Sequence, residues 1–428
     1  MQQLLFLMML FLAFPPTLIA KMQLPVVRSE KRIISIRDGN QFFKDIWTLD
    51  PVKTDVYHVN RPQKNGKVTY ITDIDSISFD IEYGKEIDFI VLLNGKDSCL
   101  NRVSATYDGV ISFDRIVSAN IVKTDTIPFR MRKSRIYFKG RVNGHDDISF
   151  QFDLGAGAAF VNIKSIAKVG AAFEGKIMVH NSNGINEESL STHNTLEIGP
   201  LRWHEVPLIR VRNMNSDEDV IIGNTLFGDK VISIDYEKKI IIVSDRLPLK
   251  SAGYHEYETI FIQNRPCIKT VLSIAGKDYS DWFLFDTGRD GTMVIRDEFV
   301  AKYDLWDKFK TIFNLGNKKI VVIPEVSLGG ITFKNIVTNA ANPAAQTGRQ
   351  SLLGNELLNH FNMILDNPNG MIYLKPNQMP GRKYSNYNDF IMKAVFSFLT
   401  GFIVISGLLI LTSKWLKKRK ILKIRVIN

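Results

Sequence analysis

The chain has 428 residues, 45% of them hydrophobic, 23% charged and 11% aromatic, which excludes a disordered or collagen-like polymer and supplies apolar material for two or three cores. Two cysteines cannot staple a disulfide scaffold, and seven histidines without HExxH or other close metal spacing offer no metal centre. No metal and no cofactor is expected. The net charge of +11 invites a nucleic-acid partner until its distribution is read.

Residues 1–20, MQQLLFLMMLFLAFPPTLIA, carry no charge. An apolar run from Leu4 to Phe14 is broken by Pro15-Pro16, and Ala20 offers a small residue for cleavage. The pattern reads as a secretory signal peptide that lacks the basic residue usual near its start; left uncleaved, it gives the same topology. Residues 21–133 form a β-rich N-terminal region with no motif to which chemistry attaches. It can be an independent domain, a propeptide or extra strands wrapped on the adjoining lobe.

From about residue 30 to 375 the chain reads as strands. KVTYITD, SISFDIEY, DFIVLLNGKD, RIYFKGRVNG and MIYLKP are rich in β-branched and aromatic residues, with turns at Asn94-Gly95, Asn143-Gly144 and Asn369-Gly370. Short helices are expected around Ile163–Val169, Arg296–Tyr303 and Asn355–Phe361. A repeat organises the second half. ISFQFDLG at Ile148–Gly155 matches WFLFDTG at Trp282–Gly288. LEIGP at Leu196–Pro200 matches VSLGG at Val326–Gly330. VIIGNTLFGDKVISID at Val220–Asp235 matches SLLGNELLNHFNMILD at Ser351–Asp366. The three motifs hold register to within three residues, so two lobes are expected, at 134–250 and 251–376.

Residues 377–391 read as a short stalk. The 19 residues from Ala394 to Thr412 carry no charge and are long enough to span a bilayer, which sets a transmembrane helix at 392–413. The tail at 414–428 holds Lys414, Lys417, Lys418, Arg419, Lys420, Lys423 and Arg425 and no acid. By the positive-inside rule it stays cytoplasmic, and the rest of the chain faces the periplasm or extracellular space. Seven of the eleven net charges thus set orientation, and no nucleic-acid partner is expected.

Each repeat ends an apolar strand with an Asp, one further residue and a Gly: Asp153-Leu154-Gly155 and Asp286-Thr287-Gly288. A carboxylate ending a buried strand is costly unless it is hydrogen-bonded or functional. Two lobes facing across a pseudo-twofold axis bring two such carboxylates together. They then share one proton, so the ionised member can activate water while the protonated one polarises a peptide carbonyl.

On these motifs the sequence resembles the pepsin- and retropepsin-like aspartic peptidase superfamily over about 134–376. It is most similar to bacterial retropepsin-like proteins that carry both lobes in one chain. The hydrophobic-hydrophobic-Gly motifs Ile221-Ile222-Gly223 and Leu352-Leu353-Gly354 strengthen the likeness. The resemblance implies a mostly-β fold of two pseudo-symmetric lobes, with catalytic Asp153 and Asp286. Gly155, Thr287, Gly288, Gly223 and Gly354 would support the Asp loops. A polypeptide would bind extended between the lobes, under flaps at Lys176–Ser191 and Phe313–Val322, neither of which carries a Tyr.

Two residues depart from the family pattern. Leu154 stands where the family has a Thr or Ser whose hydroxyl bonds across the lobes. Arg289 follows Gly288 where a small residue is usual; it can lower the pair's pKa, meet an acidic substrate group, or point to solvent paired with Asp290. The expected protein is therefore a membrane-anchored aspartic endopeptidase. The alternatives are a peptide- or partner-binding protein that keeps the fold without cleaving, and a chain whose N-terminal region carries the main function. Gly155-Ala156-Gly157-Ala158-Ala159-Phe160 begins like a dinucleotide fingerprint, but Phe160 occupies the third glycine's place. Cys99 and Cys267 can pair or stay free thiols.

Overall fold

The computed structural model describes residues 24–393, apart from 39–40, 60–65, 83, 106–110, 117–123, 182–183, 250–251, 346–348 and 380–381, with a few residues beyond. The expected signal peptide and cytoplasmic tail fall outside the described residues, as does most of the expected span. No helix among the described residues is long and apolar enough to cross a membrane.

The chain is mostly β. Residues 26–104 build a sandwich of two four-stranded sheets. One sheet holds Val26–Ser29, Asp55–His58, Glu86–Leu93 and Asp97–Ser104; the other holds Ile33–Asp38, Gln41–Thr48, Gly66–Ile71 and Ser76–Ile81. Alternation decides which faces meet. Phe89, Val91 and Leu93 point inward from one sheet, and Ile34, Ile36, Val68 and Tyr70 from the other, into a core of their own. At Asn94-Gly95 both residues have positive φ, as a two-residue hairpin turn between right-twisted strands requires.

Sheet pairing moves the boundary expected at residue 133. Ser112–Arg115 pairs with Leu201–His204, and Thr124–Pro128 pairs with Ile240–Ser244. The separate N-terminal unit therefore ends near residue 105, because the later strands find their hydrogen-bond partners in the first lobe.

The two lobes repeat one motif. In the first, the strand His145–Phe152 runs parallel to Val220–Ile222, which pairs antiparallel with Ala159–Asn162. In the second, Lys277–Asp286 runs parallel to Leu352–Gly354, which pairs antiparallel with Met293–Ile295. Below the lobes a shared sheet runs in the order Thr124–Pro128, Ile240–Ser244, Val231–Asp235, Phe361–Asp366, Met371–Pro376, His255–Ile262. Its centre joins Val231–Asp235 of one lobe to Phe361–Asp366 of the other. One continuous apolar core therefore spans both lobes, from Ile127 to Leu374.

The expected short helices form at Ile166–Val169, Asp297–Lys302 and Asn355–Leu358, with 3-10 turns at Ile163–Ser165 and Asn224–Phe227. The expected stalk is docked rather than free. Ser385 donates from its N–H to Glu356 (2.7 Å), Val337 N–H donates to Ser385 O (2.9 Å), and Tyr384 packs edge-on against Phe333. Cys99 and Cys267 are free and buried in different cores, and burial pushes the Cys267 thiol up to about 12.

Candidate active site

The two parallel strand pairs deliver the aspartates. Asp153 N–H donates to Ile222 O (2.8 Å), which fixes the first loop against the Ile221-Ile222-Gly223 strand. Asp286 sits in register opposite Gly354. Glycine is required at these crossings because of space, not φ. A Cβ on Gly223 would fall 2.0 Å from Ala156 O, and one on Gly354 would fall 2.3 Å from Gly291 O. The conformations at both are ordinary extended ones.

Asp153 and Asp286 come together across the lobe interface, close enough for each carboxyl to shift the other's pKa. Gly288 N–H lies between them, 3.0 Å from Asp153 Oδ1 and 3.1 Å from Asp286 Oδ1. Gly155 N–H donates to Asp153 Oδ1 at 2.7 Å. Each glycine makes room for the opposite carboxyl. A Cβ on Gly155 would meet Asp286 Cγ at 2.7 Å, and one on Gly288 would meet Asp153 Cγ at 2.1 Å. Asp153 and Asp286 are both half-buried residues.

Burial raises both pKa values above the ordinary carboxylate range, and the Asp286 charge raises Asp153 further. At Asp286 the effect of burial is opposed by Arg289 foremost, then by the Asp153 and Gly288 hydrogen bonds and Arg265, all of which favour its charge. The pair therefore holds one proton at pH values where an isolated carboxyl would be ionised, and Arg289 favours negative charge on the Asp286 side.

Half of the inter-loop hydroxyl network remains. Thr287 Oγ1 accepts from Leu154 N–H (2.9 Å) and donates to Phe152 O (3.4 Å). Leu154 is buried and contributes to the main core. A Leu154→Thr change would offer one more hydrogen bond, worth about 1 kcal/mol net. It would also remove Leu packing worth about 2 kcal/mol or more. Leu154→Thr is therefore expected to lower stability by about 1–3 kcal/mol, read from the urea midpoint, even though it restores the common motif. A higher midpoint would show that the hydroxyl outweighs the packing.

Arg289 does not pair with Asp290. Asp290 accepts from Ser134 Oγ (2.7 Å) and pairs with Arg135 (3.0 Å), tying the second Asp loop to the first lobe. Arg135 also pairs with Glu218, which accepts from Tyr137 OH at 2.5 Å.

Two asparagines went unread in the sequence. Asn224 and Asn355 follow Gly223 and Gly354, and both are fully buried. Asn224 donates to Asn264 O (3.1 Å) and Asn367 Oδ1 (2.8 Å) of the second lobe. Asn355 donates to Ser134 O of the first lobe and accepts from Tyr236 OH (3.0 Å). It also holds Thr287 O at 3.2 Å. The repeated Gly-Asn was the available signal.

Both expected flaps are hairpins. Gly175–Asn181 pairs with Gly184–Ser191, and Lys310–Asn314 pairs with Lys318–Leu328. Phe313 and Leu315 at the second are exposed, and Phe313 meets Phe390 at 6.1 Å. The N-terminal sandwich approaches the second lobe: Tyr57 interacts electrostatically with Arg265, and Arg37 with Glu298. Tyr57 OH donates to Asp38 (2.9 Å), whose carboxyl is pushed up to about 6 by burial.

A family model described as aspartyl protease matches residues 138–226. This segment contains Asp153, Gly155 and Gly223, the first half of the geometry above. The match supports an aspartic protease family for this chain. It covers well under half of the sequence, and the second lobe joins the argument through its register-matched repeat and its matching strand pairs. No curated protein matches the chain.

Proposed function

We propose that the cleft between the lobes hydrolyses peptide bonds with a water held by Asp153 and Asp286. The observation that carries this reading is the close carboxyl pair, built from equivalent positions of a duplicated motif and sharing one Gly288 N–H. Ionised Asp286 takes a proton from the water as it attacks the carbonyl carbon. Protonated Asp153 gives its proton to the carbonyl oxygen, and the tetrahedral gem-diol forms without a metal. Collapse breaks the C–N bond as Asp286 gives its proton to the leaving amine and Asp153 takes one back from the gem-diol, which restores the pair. The substrate lies extended between the hairpins, held by strand-like main-chain hydrogen bonds. The sequence at 392–428 supports a single-pass anchor, with the lobes facing the periplasm or extracellular space.

The buried Leu154 and the charged Arg289 favour a second reading, in which the cleft binds peptides without cleaving them. One experiment separates the two. The purified protein is incubated with a mixed peptide library between about pH 4 and 7, with and without a statine-type transition-state mimic. Cleavage blocked by the mimic is the expected result. Thermal protection by the mimic without cleavage would favour the binding protein, and neither effect would sink both readings.

A further inference from the structure

The two Asp loops are alike in backbone but not in charge. The lobe-1 residues equivalent to Arg289 and Arg296 are Ala156 and Ile163, at the same 133-residue offset as the aspartates. The second lobe therefore carries two arginines within electrostatic reach of Asp286 where the first carries apolar side chains.

Both arginines are held by their backbones. Arg289 O accepts from Asn355 N–H (3.0 Å), and Arg296 N–H donates to Ser351 Oγ (2.9 Å). Both side chains are half-buried, and the Nε atom of each is shielded from solvent with no hydrogen-bond partner. Among the described residues neither makes an ion pair. Arg289 acts on Asp286, and Arg296 feels Arg289, Arg349, Asp297 and Asp286. Arg349 lies close enough to repel Arg296, while Asp297 attracts both Arg296 and Arg349. Burial, then repulsion from Arg349 and Arg289, lowers the pKa of Arg296. Asp290, the nearest acid in sequence to Arg289, is committed to Ser134 and Arg135. Two neighbouring guanidiniums, each with a shielded and unpartnered Nε, as at Arg289 and Arg296, repel one another and gain from an added carboxylate.

We propose that Arg289 and Arg296 line a substrate subsite on the lobe-2 side of the dyad that takes a carboxylate of the bound peptide. The proposal rests on the cleft being a peptide site. It adds that the preferred substrate carries an acidic group within a few residues of the scissile bond. Lobe 1, with Ala156 and Ile163, makes no such demand, so the preference belongs to one side of that bond only.

Binding rather than turnover tests this, so that it stands apart from catalysis. Peptides with a hydroxyethylene isostere and blocked termini are made in matched pairs, Glu against Gln, at each of the three positions on either side of the isostere. A third series keeps Gln and frees the C-terminal carboxylate. Dissociation constants are measured calorimetrically for the native protein and for Arg289→Gln and Arg296→Gln. The expected result is about tenfold or tighter binding of one Glu peptide over its Gln partner, weakened by salt. That ratio falls to about twofold or less in at least one variant. Discrimination only in the free-carboxylate series would assign the subsite to a chain terminus. Equal binding across every native pair would overturn the proposal, and so would a preference that both variants keep in full. The same peptides with an ordinary amide are assayed for cleavage. Acid preference without cleavage would defeat the hydrolytic reading alone.

Discussion

Asp153→Asn and Asp286→Asn are each expected to reduce peptide cleavage by about 10²–10⁴-fold. The proposed reaction needs one ionised and one protonated carboxyl at once, and an amide can serve as neither base nor acid. Asn keeps the size of Asp and can still accept from the Gly155 and Gly288 N–H groups, so the loops should stay in place. The check is kcat/KM on one peptide for both variants; an unchanged value in both would end the dyad assignment. Stability should move in the opposite direction. A carboxyl whose folded pKa is raised contributes its stability below its unfolded value, about 3.9, and that contribution is lost as pH rises through the folded value. Both members of the pair are raised, mainly by burial. The native pair therefore weighs against folding near neutral pH. Each Asn variant should melt higher than the native protein at pH 7–8, with the gap closing by about pH 4. Higher activity with lower neutral stability is the trade expected of a buried acid pair at a working site.

Gly223→Ala should cost about 2–4 kcal/mol and remove most activity with it. The added Cβ would stand 2.0 Å from Ala156 O and 3.1 Å from Asp153 O, both backbone atoms that no side-chain rotation can move. Relief requires shifting the strand that carries Ile222 O, the acceptor for Asp153 N–H, so the dyad is displaced as the fold weakens. Gly354→Ala is the repeat-related case, 2.3 Å from Gly291 O. Gly175→Ala is the control: its Cβ would meet nothing nearer than 3.6 Å, and its effect should stay within about 0.5 kcal/mol. Denaturant midpoints and cleavage rates for the three variants decide the matter. A Gly223→Ala protein as stable and active as the control would show that the crossing is looser than its geometry indicates.

Much of the fold could be read because it is written twice. Strand periodicity marks β segments, but any single apolar stretch near an Asp-Gly is ambiguous. Recurrence at offsets of 130–133 residues removes the ambiguity and joins Asp153 to Asp286. The turns at Asn94-Gly95 and Asn143-Gly144 were legible for a local reason, since few residues tolerate positive φ at both positions. The N-terminal boundary was not legible. Ser112–Arg115 and Thr124–Pro128 look like any other strands, and only their partners, 80 or more residues away in sequence, show that they belong to the first lobe. Leu154 read as a defect in a motif; in the fold it is a core residue beside a surviving half-network.

By itself the sequence determined the duplicated lobes, the pair of aspartates with their glycines, and an uncharged run beside a basic tail. These come from local pattern and its repetition. The tertiary structure alone decided what depends on neighbours distant along the chain. It set Asp290 against Ser134 and Arg135 instead of Arg289, and it used Asn224 and Asn355 as reciprocal ties between lobes. It also gave the two aspartates unequal surroundings, with Arg289 acting on Asp286. A carboxyl's charge state is set by burial and by the charges packed around it, and neither is a property of the residues next to it in sequence.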